Sequence, residues 1–167
     1  MKTKQFLCLL AIVPFIFFSC EKKFNDHDYR DKLEGVYITS IRGSVILVDA
    51  GISFPTDITD SIVVRKSGSK QLELMFSDKS KLVTVNRGEG GDLIVPTESY
   101  SQTQTDLVTG ALVIMNLTTS SDSARILKKA LYIEETFSGN AIVTRNGEVS
   151  HSNVSGKIIY RGIKKED

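Results

Sequence analysis

Tryptophan is absent from this chain of 167 residues, proline occurs three times and cysteine only twice. Scarce proline and 41% hydrophobic residues exclude an intrinsically disordered chain and a collagen-like repeat. Charge is almost balanced, with 21 lysines and arginines against 20 aspartates and glutamates. Because no basic excess is present, there is no electrostatic reason to expect nucleic acid as a partner. What remains is the composition of one folded domain with at most a short tail.

One long hydrophobic run is present, at residues 6–18, after a basic start that contains Lys2 and Lys4. A helix needs about 20 apolar residues to cross a bilayer, so this run of 13 is too short to span one. Its length and its place after two lysines are typical of the hydrophobic region of a secretion signal. Pro14 argues against the alternative, a buried core helix, because proline breaks a helix interior.

The residues that end this segment, Phe17-Phe18-Ser19-Cys20, resemble the lipobox of bacterial lipoproteins, in the looser form found in Bacteroidota. In that family a small residue precedes a cysteine that becomes the first, lipid-modified residue of the mature chain. The resemblance implies that residues 1–19 are a cleaved signal peptide and that Cys20 is the lipid attachment site. It also implies that the membrane is a partner through this lipid, and that the protein lies in the cell envelope, at the outer membrane, on its periplasmic or surface face.

Cysteine usage agrees with lipid attachment at Cys20. Cys8 lies in the segment that would be removed, so a single cysteine is left and no internal disulfide can form. The two chains of a diacylglycerol anchor a protein stably, because each buried methylene contributes about 0.8 kcal/mol. In residues 21–32, eight of the twelve side chains are charged, which predicts a solvated tether. This tether is either a plain linker or, as in similar Bacteroidota lipoproteins, a stretch that directs export to the cell surface.

The alternation of apolar residues and the turn signals in residues 33–167 predict a single domain of short antiparallel strands. Leu72, Leu74 and Phe76 alternate with other residues as one face of a half-buried strand does. Asn146-Gly147 lies between two strand-like segments and predicts a hairpin with a type I′ turn. Residues 123–131 contain good helix formers after capping candidates, so we expect one short helix there. The predicted fold is therefore all-β: an antiparallel barrel of about eight strands or, alternatively, a β-sandwich.

The start of this domain, residues 33–37 (Leu-Glu-Gly-Val-Tyr), resembles the Leu-x-Gly-x-Tyr or Trp opening of lipocalin-like proteins. Residues 137–141 and 154–160 are similar to later strands of calycins. The resemblance implies a lipocalin-like (calycin-like) barrel. Such a barrel is either hollow, and then binds a small apolar or glycan ligand, or filled, and then presents its loops to a protein partner.

Catalytic and metal-binding patterns are missing from the sequence. The two histidines, His27 and His151, are isolated, whereas a zinc site needs three or four ligands. Glu134 and Glu135 are adjacent, so in a strand they point to opposite faces and cannot act as a glycosidase pair. There is no Gly-x-Ser-x-Gly motif for a nucleophile. We therefore expect a protein that is not an enzyme and that uses neither cofactor nor metal.

The resulting functional hypothesis is a lipid-anchored envelope protein whose barrel binds a small ligand or a protein partner. The alternative is an inhibitor or structural component of an envelope assembly, with a filled barrel. Phe54 and Tyr100 lie in loop-like stretches and are candidates for a shared binding edge. This hypothesis requires both side chains to be partly exposed and near one another at one end of the domain. Ser61 and Ser123 stand in Asp-Ser-Ile and Asp-Ser-Ala tripeptides, which match a short O-glycosylation pattern of exported Bacteroidota proteins.

Overall fold

The computed structural model describes residues 28–77, 79–86 and 91–166. Within these ranges the chain forms nine β-strands and one turn of 3₁₀ helix at Tyr29–Lys32, and no α-helix. The strands are β1 (Gly35–Leu47), β2 (Ile52–Ser67), β3 (Gln71–Met75), β4 (Ser80–Val85), β5 (Leu93–Ile94), β6 (Glu98–Thr105), β7 (Leu112–Leu127), β8 (Ala130–Arg145) and β9 (Glu148–Lys164). The predicted signal peptide and Cys20 lie outside the described residues.

The strands form one sheet in the spatial order β5-β4-β3-β2-β1-β9-β8-β7-β6. All neighbouring strands are antiparallel. This sheet curls into a half-barrel, which confirms the predicted all-β class and is consistent with a lipocalin-like barrel. One continuous sheet also decides against the β-sandwich alternative. The predicted count of about eight strands is exceeded by one because the two-residue β5 is too short to show a periodic pattern.

The barrel is sealed along only part of its length. Near the second half of β7, the N–H of Ile126 donates to the carbonyl of Gly91 at 2.9 Å, and Asp92 forms a β-bridge with Arg125. These contacts join the β5 edge of the sheet back to β7. Further along, residues 52–62 of β2 pair with β1 alone, and β6 pairs with β7 alone, among the strands the structure describes. The half-barrel is therefore open between β2 and β6.

Two apolar clusters fill the inside of the curled sheet. Both arise from strict alternation of buried and exposed residues along the strands. One cluster lies toward the sealed part and is centred on Tyr37, Leu72, Leu74 and Ile133. The other lies toward the hairpin tips and includes Leu47, Val113, Phe137 and Val154. The predicted face of Leu72 and Leu74 is confirmed, since both side chains are fully buried.

The predicted hairpin at Asn146-Gly147 is confirmed. Arg145 pairs with Glu148 across the turn, and Asn146 and Gly147 both have positive φ, 53° and 83°. Positive φ at both central positions is the signature of a type I′ turn. Asparagine and glycine tolerate this conformation, so two residues of local sequence determine the register of the longest strand pair.

The expected helix at residues 123–131 is wrong. This segment contains the end of β7, a turn at Lys128 and Lys129, and the start of β8. Ala124 and Ile126 are buried, whereas the residues between them are exposed, so the burial period is two. Ile126 pairs with Leu131 across the turn. Tertiary pairing within the sheet thus overrides a helix propensity of a few tenths of a kcal/mol per residue.

Three glycines lie on adjacent strands where a neighbouring backbone comes very close. Gly43 on β1, Gly156 on β9 and Gly139 on β8 all occupy inward-facing positions in the alternation of their strands. A Cβ added at Gly43 would lie 1.9 Å from the carbonyl oxygen of Lys157, and one at Gly139 would lie 2.0 Å from that of Asn116. The neighbouring backbone fills the space of a side chain, which lets the sheet bend.

The described fold includes five residues that the charge pattern assigns to the tether, Asp28–Lys32. Arg30 is buried, and its guanidinium donates to the carbonyls of Gly68 and Gln71 at 2.8 and 3.1 Å, in the turn between β2 and β3. It also donates to the carboxylate of Asp28, which lowers the pKa of Asp28 to about 2. The charged composition of residues 28–32 gave no sign that they pack on the domain. Burial of Arg30 is possible because Asp28 neutralises its charge and the other guanidinium N–H groups donate to backbone carbonyls. The described part of the domain therefore includes five residues before the predicted start at Leu33.

Candidate functional site

A cleft of about 290 Å³ occupies the open side of the half-barrel, between β2 and β6. Its β2 wall consists of Phe54, Pro55 and Thr56. The β6 wall and the floor are formed by residues from five strands. These are Tyr100, Gln102 and Gln104 in the wall, and Val45, Met115, Leu117, Phe137, Ile158 and Tyr160 in the floor. The cleft is thus apolar at its base and polar at one rim.

Strand β6 directs its larger side chains into the cleft because of its alternation. On its outer face, the hydroxyls of Ser99 and Ser101 hydrogen-bond to Thr118 and Asn116 of β7 at 3.0 and 2.6 Å. Successive side chains of a strand point to opposite faces. The even-numbered residues of β6, from Glu98 onward, therefore face the interior. The sequence Glu-Ser-Tyr-Ser-Gln-Thr-Gln-Thr hides this pattern, since both faces of β6 are polar.

Phe54 and Tyr100 line opposite walls of one cleft, so the two side chains share a surface as the hypothesis requires. The cleft lies on the open side of the half-barrel, however, and not at one end of the domain. Phe54 is half-buried and Tyr100 is 36% exposed. They lie in strands β2 and β6, however, and the expectation that they belong to loops is wrong. Pro55 suggested a loop, but an edge strand tolerates proline because one side of its backbone needs no ladder partner.

Lys79 places a positive charge at the end of the cleft nearest β4. Its ammonium lies 5.8 Å from the centre of the Phe76 ring and 6.0 Å from that of Tyr100. Phe76 packs edge-on against Tyr160 at 5.8 Å, so these aromatic rings form a continuous wall. Within the described part of the chain, no carboxylate forms an ion pair with Lys79. This ammonium is exposed and available to a ligand in the cleft.

A buried polar network adjoins the cleft through Tyr160. The Tyr160 hydroxyl donates to Glu135 Oε2 at 3.0 Å, and the Lys81 ammonium contacts Glu135 Oε1 at 2.5 Å. Lys81 also contacts Glu98 Oε2 at 3.2 Å. Lys81 and Glu135 are each 4% exposed, whereas Glu98 reaches solvent. A charge pair this deep is stable only because each member is hydrogen-bonded by the others.

Glu134 and Glu135 do point to opposite faces of their strand. Glu135 joins the interior network, and Glu134 lies outside, 2.5 Å from the ammonium of Lys157. The hydrogen bond from Lys157 lowers the pKa of Glu134. His151 is exposed on β9, and Ser61 and Ser123 are exposed as well. The structure therefore brings none of these sequence-selected residues into the cleft.

Sequence reasoning missed Lys79, Lys81 and Glu98, and considered Glu135 only as half of a glycosidase pair. A signal for two of them is present, because Lys81 is in phase with Val83 and Val85 of β4, all of them buried. Glu135 is likewise in phase with the buried Ile133 and Phe137 of β8. A charged residue in the apolar phase of a strand indicates an interior partner. No local signal marks Lys79, whose position depends on pairing between distant strands.

The described residues contain no group of three or more histidine, cysteine, aspartate or glutamate side chains placed to hold a metal ion. Across residues 28–77, 79–86 and 91–166, no helix is long and apolar enough to cross a membrane. No model of a known protein family matches the chain, and no curated protein matches it in sequence.

Proposed function

We propose that this protein is a non-catalytic, lipid-anchored component of the bacterial cell envelope, whose half-barrel binds one small amphipathic molecule in the cleft between β2 and β6. The observation that carries the binding proposal is the cleft itself, with an apolar floor and an ammonium at one end. The anchor is proposed from the lipobox-like end of the hydrophobic run at Cys20.

The dimensions of the cleft favour a small ligand. Its volume of about 290 Å³ is at the lower limit of ordinary ligand pockets, which measure about 300–1,000 Å³. Val45 and Ile158 are half-buried and offer apolar contacts, which suit a hydrocarbon or aromatic body, whereas Met115 and Leu117 lie buried beneath them. Lys79 and the amides of β6 lie at the rim, where they suit an anionic or polar end. Position and chemistry together favour an amphipathic molecule that enters from the side of the barrel.

We expect the protein, produced without residues 1–19 and with Cys20→Ser, to bind one molecule of anilinonaphthalene sulfonate, a probe with apolar rings and an anionic group. Isothermal titration calorimetry measures affinity and stoichiometry. Phe54→Ala is expected to weaken binding about tenfold, because full burial of a phenylalanine is worth about 1.5–3 kcal/mol and this side chain is half-buried.

Two controls make this titration specific to the cleft. Tyr132→Ala removes an aromatic side chain from β8 outside the cleft, where it packs beside Arg125, and leaves affinity unchanged. Lys79→Met weakens the anionic probe but leaves binding of a neutral naphthalene analogue intact. Equal affinities for wild type and Phe54→Ala would contradict the proposed site.

We expect Cys20→Ser to move the full-length protein from the membrane fraction of its bacterial host to the soluble fraction. The physical reason is that the two acyl chains supply the membrane affinity. Cys8→Ser is the matched control, since Cys8 lies in the segment proposed to be removed. Mass spectrometry of the wild-type N-terminus is expected to show a diacylglyceryl cysteine at position 20. A Cys20→Ser protein that stays in the membrane fraction would refute the anchor and leave the cleft proposal standing.

A further inference from the structure

One end of the half-barrel gathers the start of β1, the β2–β3 turn, the β7–β8 turn and the end of β9. The start of β1 pairs with the end of β2, and Leu127 pairs with Ala130, which pairs with Ile163. The first described residues also lie here, since Arg30 donates to the carbonyl of Gly68 in the β2–β3 turn. We call this the basic end and define it by residues 28–34, 65–73, 91–92, 125–129 and 161–166.

The basic end carries an excess of positive charge. Its five segments contain eleven lysines and arginines against six aspartates and glutamates. The rest of the described chain has the opposite balance, with five basic and nine acidic residues. Residues 21–27, 87–90 and 167, which adjoin these segments in the sequence, add one net negative charge and leave the sign unchanged. The half-barrel is therefore electrically polar along its length, although its net charge is close to zero.

Most cations of the basic end are not neutralised by a neighbouring carboxylate. Within the described ranges, the ion pairs at this end involve Arg30, Lys66 and Lys129. The Lys164 ammonium donates to a backbone carbonyl, that of Lys32, at 3.3 Å. Exposed cations that form no ion pair with a described carboxylate include Lys32, Lys70, Lys128, Arg161 and Lys165. Clustered charges of one sign attract an external anion or an anionic surface.

The β7–β8 turn holds two lysines despite an unfavourable backbone. Lys128 and Lys129 form this two-residue turn, and Lys128 has a φ of 55°. Glycine and asparagine adopt positive φ with less strain than lysine does. The two-residue turn at the opposite end of the half-barrel uses Asn146 and Gly147. Lysine at a position better suited to glycine indicates that its exposed charge has a role beyond the fold.

The basic end is also the end that the lipid at Cys20 would hold near the membrane, a step that rests on the proposed function. The described chain starts there, at Asp28, and residues 20–27 span at most about 29 Å when fully extended. The opposite hairpin tips lie about 43 Å away, the length of the 13 residues of β1 at about 3.3 Å per residue. Since screening limits attraction to about 8 Å at physiological ionic strength, the basic end is the part of the domain best placed to reach the bilayer surface.

We propose that the basic end docks the half-barrel on the anionic headgroups of the bilayer that holds the lipid. The partner is a membrane surface rich in lipid phosphates. Each lysine or arginine near an anionic bilayer strengthens binding about fivefold, so several exposed cations add substantially to the affinity of the acyl chains. Docking in this way points the acidic remainder of the domain, with the β1–β2 and β8–β9 hairpin tips, away from the membrane.

Vesicle co-sedimentation tests this docking in the absence of the lipid. The chain without residues 1–19 and with Cys20→Ser retains every described residue. We expect it to bind vesicles that contain phosphatidylglycerol, not to bind vesicles of phosphatidylcholine alone, and to dissociate as sodium chloride is added. Lys128→Gly with Lys129→Gln is expected to lower the partition coefficient about 25-fold, from two charges at about fivefold each. Glycine suits the positive φ of residue 128, so the melting temperature is expected to be unchanged or higher.

Arg42→Gln with Arg145→Gln is the matched control. It removes the same two charges from exposed positions outside the basic end, so its partition coefficient is expected to stay close to that of wild type. Equal weakening by the two double variants would show that net charge governs binding, and would overturn the proposal. Failure to bind phosphatidylglycerol vesicles, or equal binding to phosphatidylcholine, would overturn it as well.

Photo-cross-linking with the full-length chain in intact cells identifies the occupant of the basic end. A photoreactive residue in place of Ser69, exposed in the β2–β3 turn, is expected to give a phospholipid adduct, and the same residue in place of Val108, at the opposite end, none. A protein adduct at position 69 would assign this end to a protein partner, and an adduct of twice the chain mass to a second copy; either would overturn the proposal. Vesicle binding by the unlipidated chain depends neither on acylation of Cys20 nor on the cleft, so its failure is separable from failure of the proposed function.

Discussion

Replacing Gly139 by alanine is expected to lower the free energy of unfolding by about 3 kcal/mol, as for a severe case of overpacking. The new methyl group would lie 2.0 Å from the carbonyl oxygen of Asn116, a backbone atom on the paired strand. Backbone in the middle of a ladder cannot rotate away as a flexible side chain does. Strands β7 and β8 would have to separate, with the loss of ladder hydrogen bonds on both sides of the substitution.

Thermal unfolding followed by far-UV circular dichroism measures this effect, and a fall of roughly 10 °C in the midpoint is expected for a domain of this size. Ser138→Ala is the control, because Ser138 is the adjacent residue and is exposed on the outer side of β8. Its midpoint is expected to change by no more than about 1–2 °C, as for an ordinary surface substitution. Equal midpoints for the two variants would show that the sheet does not bend at Gly139 as described.

Lys81→Met is expected to destabilise the domain by about 3–5 kcal/mol, the usual cost of removing one member of a buried ion pair. The lysine is 4% exposed, and its loss leaves the buried carboxylate of Glu135 without its cation. Chemical denaturation measured at equilibrium gives the free energy directly. Lys157→Met is the matched control. Lys157, on β9, contacts Glu134, which precedes Glu135 on β8 and lies on the outer face of the sheet. A surface pair of that kind is worth about 0–1 kcal/mol.

A double substitution separates the charge from the packing. In Lys81→Met with Glu135→Gln, the interior holds no unpaired charge from this pair, and the glutamine oxygen still accepts from the Tyr160 hydroxyl. The double variant is therefore expected to recover most of the stability that Lys81→Met loses. If the two substitutions were instead simply additive, the Lys81–Glu135 contact would have no energetic role.

Elements with a local signal could be predicted from the sequence. The alternation of Leu72 and Leu74 and the Asn146-Gly147 turn depend on neighbours in the chain, and both were correct. The prediction of a helix at residues 123–131 failed because helix propensity is a local property, whereas the pairing of these residues with β8 and β9 is decided by the whole sheet. Propensity differences between residues are smaller than the gain from burying Ile126 and Leu131.

The cleft could be predicted only in part. The sequence points to Phe54 and Tyr100 as loop residues, but they line one cleft because, among the described strands, residues 52–62 of β2 pair with β1 alone and β6 pairs with β7 alone. These two strands are far apart in sequence, so no local pattern reports the gap between them. The interior positions of Lys81 and Glu135 can be inferred because both residues alternate in step with the buried residues of their strands. The position of Lys79 has no such signal. The proposal of a lipid anchor at Cys20 depends on the sequence alone, since Cys20 precedes the described residues.

The open side of the half-barrel also bears on how the protein avoids aggregation. Unpaired strand edges are templates for strands of other chains. The β2 edge carries Pro55, which has no N–H to offer an incoming strand, and Asp57, an exposed charge. Six of the eight residues of β6 are serine, threonine or glutamine, whose side chains gain little from burial under a new strand. The composition of both edges thus discourages the edge-to-edge growth that leads to fibrils.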